Sequence, residues 1–372
     1  SDVCSSDLLD LTRLFGDDVR LITGPSIGAE GDLLEKTRDP DLQVILVPQL
    51  IRSIRPWTDY RAYRKLIELL KELKPDVVHT HSAKGGILGR AAAWKLKIPC
   101  VVHTVHGAPF HPYQSALARW VYRQCEAWGA KRCHRLISVA DAMTDLMVEA
   151  RVASRDRFVT IYSGMEVEPF LNANRLREER RRQLGVAPHH IVVGKIARLF
   201  ALKGHEYLLA AAPAVIEKNP NIRFLLVGDG LLRESLEKEI REKGLGKYFL
   251  FTGLVPPDDI PGWIGAMDML VHVSLREGLA RALPQALIAA KPVISYDIDG
   301  AREVVIDGET GRLLPPKSIE PLAASILELA ADSNLRTRMG ETGRERFTDR
   351  FRHETMTREI RELYSDILRK KA

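Results

Sequence analysis

No apolar run in this 372-residue chain reaches the roughly 20 residues that a bilayer-spanning helix needs, and no charged-then-apolar leader stands at its start. Cysteine is scarce. Cys4, Cys100, Cys125 and Cys133 form no CxxC pair and no metal-ligand rhythm, which argues against a zinc ribbon or a redox dithiol and fits a reducing, cytoplasmic compartment. Aromatic residues make up only 6%, and no helix-turn-helix signature, zinc-finger spacing or RNP-like sheet accompanies the net charge of +6, so no nucleic-acid partner is expected. No internal repeat occurs, which argues against a solenoid. What is present is 45% hydrophobic and 28% charged residue, a globular balance, in a chain long enough for two domains.

Short apolar runs alternate with amphipathic stretches, the pattern of parallel strands joined by helices. Strands are expected at Val19–Ile22, Val44–Val47, Val77–His79, Cys100–Thr104, Leu136–Val139 and Val159–Tyr162. Helices are expected over 60–73, with Tyr60, Tyr63, Ile67 and Leu70 on one face, and over 85–96 and 113–133. SGMEVEPFL, 163–171, reads as a linker, and a basic helix Arg175–Arg182 follows it. Strands at Ile191–Ile196, Phe224–Val227, Phe249–Thr252, Met269–Val273 and Pro292–Tyr296 then alternate with helices over 204–218, 231–243, 258–266 and 283–290. Glu303–Ile306 and Gly311–Leu314 are expected to finish that sheet.

Two doubly wound α/β domains follow, over 1–171 and 172–350, with a closing helix over 351–372 packing back on the first. Sheets of this kind bind ligands at the carboxyl ends of their strands, so the active site is expected between the domains. The start has no initiator Met, and SDVCSSDL shows neither strand nor helix periodicity. LLDLTRLFGDDVRLITG reads as the end of a helix followed by a strand. A missing first strand and glycine-rich turn, behind a non-native leader, are the expectation there.

The segment REGLARALPQALIAAKPV, 276–293, carries the chemistry. Glu277 lies in a loop after a strand, and Pro284 fits the first turn of the next helix. Gly278 allows close backbone approach, and a helix N-terminus offers N–H groups to a phosphate. Gln285, eight positions after Glu277, can point at the same ligand. By spacing alone, a polar loop before an ordinary amphipathic helix fits equally well.

From about residue 20 onward the chain resembles the family 4 glycosyltransferases of GT-B fold. Their pattern is Glu-x7-Glu followed by a helix ending A-x-x-x-G-x-P-V-I; this chain has Glu277, seven residues, Gln285, then AAKPVI. Further landmarks occur in order: HTHSAKGGILGR (79–90), HTVHGAPFH (103–111), IARLFALKG (196–204), LLVGDG (225–230), FTGLVPPDDI (251–260) and DGAREVV…GETGRLLPP (299–316). The resemblance implies an acceptor-binding first domain and a donor-binding second one. It implies that Arg198 and Lys203 clamp the donor diphosphate, that Glu277 holds hydroxyls of the transferred sugar, and that Gln285 holds the ribose. Gly278, Leu279 and Ala280 complete the donor loop, Gly228, Gly230 and Val255 lie near the base, and His106 reaches the sugar from the first domain. The implied reaction is retaining transfer from a UDP- or GDP-linked sugar to a hydroxyl of a lipid-linked or saccharide acceptor in envelope polysaccharide, lipopolysaccharide or glycolipid synthesis. It needs no cofactor and no metal.

Two positions depart from the family: Gln285 replaces its second glutamate, keeping hydrogen bonds but losing charge, and Ala290 replaces its helix-end glycine. His79, His81, His103 and His111 do not make a metal-ligand set; His79 and His81 are expected to end a strand, some of these rings being satisfied by backbone. Asp297-Ile-Asp299 looks like a metal-binding DxD but falls in the second domain's DGxxE loop. Arg61, Arg64, Lys65, Lys71 and Lys74 on one helix, and Arg119, Arg123, Lys131, Arg132 and Arg135 on another, lie near Trp57, Trp120 and Trp128. That mix fits peripheral binding to an anionic membrane on its cytoplasmic face, and equally a solvated helix face. A nucleotide-sugar 2-epimerase and a catalytically weak nucleotide-sugar-binding partner protein are the rival readings.

Overall fold

Runs rich in Val, Ile and Leu form the strands, and every pairing of named strands is parallel, as expected when helices cover both sides of a sheet. The computed structural model describes residues 3–25, 42–51 and 53–370. They divide into two compact units. One runs to Met165 and resumes at Arg352; the other is Glu166–Phe351.

In the first unit, β1 (Arg20–Thr23) pairs with β2 (Gln43–Leu46), and β3 (Val77–His81), β4 (Cys100–Val105), β5 (Arg135–Ser138) and β6 (Phe158–Thr160) form a sheet in that order. Every residue of β4 is buried. Helix Pro56–Leu73 buries Ala62, Leu66, Ile67, Leu69 and Leu70, while Tyr60 is exposed, so its inward face is turned from the expected one. Helix Val3–Phe15 runs back through residues that the sequence leaves irregular, since the short polar run there carries no apolar period. The C-terminal helix His353–Arg369 sets Met356, Ile360 and Ile367 against Cys100, Val102, Ile137 and Ile161. Asp10 anchors it, accepting from His353 Nδ1 at 2.6 Å and from Thr357 Oγ1 at 2.9 Å.

The expected linker is not a free connector. Met165, Val167 and Phe170 are buried, and Glu168–Leu171 is helical. In the second unit, β7 (Ile191–Ile196), β8 (Ile222–Val227), β9 (Phe249–Gly253), β10 (Met269–His272), β11 (Val293–Tyr296) and β12 (Gly311–Leu314) take the order β12-β11-β10-β7-β8-β9. This is the Rossmann order, with its reversal between β7 and β10. The basic segment after the linker is structural: Arg177 and Arg181 bind Asp268 at 2.6 and 3.2 Å, and Asp268 also accepts from Val192 N–H at 2.7 Å.

Glu303–Ile306 is not a strand. Asp299–Glu303 is a 3-10 turn, and Val304 and Val305 are buried in the loop after it. Thr310 replaces the ladder there: its hydroxyl donates to Val304 O and accepts from Ile306 N–H, both at 2.9 Å. Two buried valines look like a strand in sequence because burial, not pairing, sets their character.

Candidate functional site

In an open α/β sheet, ligands settle beyond the carboxyl ends of the strands where their order reverses. The loops after β7 and β10 leave from that point. Arg198 and Lys203 lie in the first; Glu277, Gly278, Leu279 and Ala280 lie in the second, before helix Ala282–Ile288, which carries Gln285. The loops interlock through Leu275 N–H, which donates to Leu202 O at 2.8 Å. Gly204 permits this, with φ +71° and a backbone so close that a Cβ would lie 1.8 Å from Val273 O.

Interlocking brings Lys203 Nζ within 2.6 Å of Glu277 Oε1. His272 Nε2, at the end of β10, lies 3.4 Å from the same oxygen, a contact rather than a full hydrogen bond. Glu277 N–H donates to Asp299 Oδ2 at 2.6 Å, and Gly300 N–H to Gly278 O at 3.1 Å, so the loop after β11 supports the Glu277 loop from behind. Burial by itself would raise the Glu277 pKa, but contact with His272 and the Lys203 ammonium outweigh it and hold the group at about 2. Burial raises Asp299. Arg198 is exposed, its guanidinium 5.2 Å from the Phe200 ring.

Gly228 (φ +133°) and Gly230 (φ +154°) end β8 where side chains would collide with the β7 loop: a Cβ would meet Ala197 O at 2.3 Å and Leu199 O at 2.6 Å. Their immediate role is thus to let two loops touch. Val255 and Gln285 are half-buried, and no side chain caps helix Ala282–Ile288. Asp297 is engaged by Arg302 at 2.9 and 2.6 Å and Asp299 by the Glu277 backbone, so the apparent DxD is spent on loop geometry.

In the first unit, His106 follows β4 and its Nε2 shares a hydrogen bond with His81 Nδ1 at 3.0 Å, the rings stacked at 5.3 Å. His79 bridges the Tyr364 hydroxyl at 2.5 Å and Thr104 Oγ1 at 2.7 Å, while His103 Nδ1 meets Thr80 Oγ1 at 2.9 Å. The partners of His79, His81 and His103 named here are side chains. Burial, then the neighbouring His106, lowers His81 to about 3, so it is neutral. Arg90, the last landmark residue of the HTHSAKGGILGR run, is fully buried and pairs with Glu126 at 3.1 Å, a structural role.

Sequence reasoning missed the buried groups under Glu277. Lys195 in β7 has no exposed surface, and His272 and His205 are buried beside the loops. The available signal was a lysine inside the apolar run IVVGKI and a histidine ending MLVH.

The glycosyl transferases group 1 family matches residues 177–346, and the glycosyl transferase 4-like domain family matches 3–164. The chain is 31% identical over 333 residues to the UDP-Gal:alpha-D-GlcNAc-diphosphoundecaprenol alpha-1,3-galactosyltransferase of Escherichia coli, covering 89% of this chain and 85% of that protein. It is 23% identical to the capsular polysaccharide biosynthesis glycosyltransferase CapM of Staphylococcus aureus, covering 88% of this chain and 87% of that one. Among solved structures, HepE of Anabaena in complex with UDP superposes with a TM-score of 0.82 at 23% identity, covering 98% of this chain and 96% of that one. That likeness shows the fold: two Rossmann-like units of GT-B type.

Proposed function

Since the chain belongs to the group 1 glycosyltransferases, we propose that it moves a hexose from a UDP-linked donor to a hydroxyl of a lipid-linked or saccharide acceptor in envelope polysaccharide or glycolipid synthesis. The observation that carries this reading is the Lys203–Glu277 pair at the β7/β10 reversal, with Arg198 in the same loop as Lys203. The unit Glu166–Phe351 holds the donor, and the unit that runs to Met165 and resumes at Arg352 holds the acceptor. Arg198 and Lys203 bind the diphosphate, Glu277 the sugar hydroxyls with Gly278, Leu279 and Ala280 lining the loop, Gln285 the ribose, and Gly228, Gly230 and Val255 the base. His106 contacts the transferred sugar. No metal enters the scheme. UDP is preferred to GDP because HepE, of the same fold, is seen with UDP and with UDP-glucose.

The reaction retains anomeric configuration by front-face displacement. The leaving diphosphate oxygen takes the acceptor proton as the new bond forms, and the protein contributes positioning and charge stabilisation. The named relatives are transferases, and nothing in their comparison supports the epimerase reading.

A membrane partner is part of the proposal. On helix Ala116–Ala130, Leu117, Trp120, Val121, Cys125 and Trp128 form an exposed stripe at helical spacing, and Arg132 lies 3.6 Å over the Trp128 ring. Arg123, by contrast, turns inward to Ala150 O. Co-sedimentation with anionic vesicles is expected and with neutral ones is not; absence of binding to either ends the membrane reading. Transfer itself is tested with labelled UDP-galactose and UDP-glucose on an α-GlcNAc-diphospho-lipid. Label in the lipid phase supports the reading, whereas conversion of free nucleotide sugar without acceptor would favour the epimerase.

A further inference from the structure

A second set of groups lies beneath the Lys203–Glu277 pair, and the donor reading makes no use of it. Lys195 is fully buried in β7, and its Nζ has no hydrogen-bond partner among the described residues. The titratable side chains that act on it are Glu277 and Lys203 from the two loops, His205 and Glu206 from the helix after β7, and His272 from β10. His205 Nδ1 and both ring nitrogens of His272 are likewise buried without a hydrogen bond. An ammonium in such surroundings is costly, so burial favours the neutral amine of an unpartnered lysine. Burial, only partly offset by Glu277, brings Lys195 down to about 7.

Lys203 has two claims on it. In the structure its ammonium is bound to Glu277, and on the donor reading, on which this inference rests, a diphosphate competes for the same group. Glu277 stays in place because its backbone is held by Asp299. We propose that when Lys203 turns to the diphosphate, Lys195 takes one proton from solvent and becomes the counter-ion of Glu277, so donor binding is coupled to protonation of a buried lysine. No bond between heavy atoms changes: a buffer proton moves to Nζ. Lys195 is therefore a positioning residue, keeping Glu277 ionised and fixed while Lys203 serves the phosphate. Because the complex holds the extra proton, nucleotide affinity falls as pH rises above about 7.

The test is isothermal titration of the whole chain with UDP, and in parallel GDP, near about pH 8 in two buffers of different ionisation enthalpy. The expected result is uptake of a large fraction of one proton per nucleotide, shrinking below about pH 7, where Lys195 is already protonated. Lys195→Met, apolar and of similar length, is expected to bind nucleotide with no uptake and to unfold no earlier than the parent. Binding without uptake by the parent chain, or uptake unchanged in Lys195→Met, overturns this inference and leaves the donor site standing. The parent measurement decides even if the variant fails to fold. Failure of both nucleotides to bind overturns the donor reading and this inference together.

Discussion

At the residue scale, Lys203 and Arg198 carry the proposed charge stabilisation, and Glu277 is the anion that orders Lys203. Arg198→Ala and Lys203→Ala are each expected to lower turnover by about 10²–10³, the loss typical of one donor to a developing negative charge. Steady-state transfer kinetics check this, and turnover within about threefold of the parent for either variant would remove the role. The depressed Glu277 pKa has a defined sign. A carboxyl at about 2 in the folded chain, against its ordinary 4.5, adds stability above about 4.5 that is lost as pH falls toward about 2. Acid-unfolding midpoints should show this as a smaller dependence on pH in Glu277→Gln over that window. Ala290 gives the third residue-scale prediction. It sits at φ +56°, the left-handed region that disfavours a Cβ, at the position where the family has glycine. Ala290→Gly should stabilise by about 1 kcal/mol, raising Tm by about 2–4 °C in thermal unfolding.

The elements were legible where burial and periodicity agree. β7 and β12 fall at the bounds read from Ile191–Ile196 and Gly311–Leu314, since both are apolar runs bounded by turn residues. Glu303–Ile306 failed because a buried loop and a short strand share the same composition, and only the Thr310 hydroxyl tells them apart. Thr310→Val keeps the volume and loses both bonds, so denaturant titration should show a loss of about 1–3 kcal/mol. Spacing alone left the Glu277 loop undecided; the resemblance singled out its residues, whereas their supports went unread. Asp299 acts through a contact between loops far apart in sequence, which no local pattern records, while Lys195 and His272 show in the sequence only as a lysine inside IVVGKI and a histidine ending MLVH. For Gly228 and Gly230 the resemblance implies a place near the base; the structure adds a reason of its own for glycine at both, the close passage of the β7 loop.

At the scale of the molecule, parallel sheets dressed with helices build both units, two sheets in the first and one in the second among the described residues, and the chemistry-bearing loops of the second leave one point of strand reversal. Its integrity depends on Asp268, which ties Arg177, Arg181 and the start of β7 together. The central claim is that this point of reversal is a nucleotide-sugar donor site. Its most direct test is thermal unfolding of the whole chain with increasing UDP. Saturable stabilisation is expected, reaching about 2.7 kcal/mol at roughly a hundredfold excess over Kd, and it should be largely lost in Lys203→Ala. An unfolding temperature unmoved by UDP, GDP and their sugars would contradict the account.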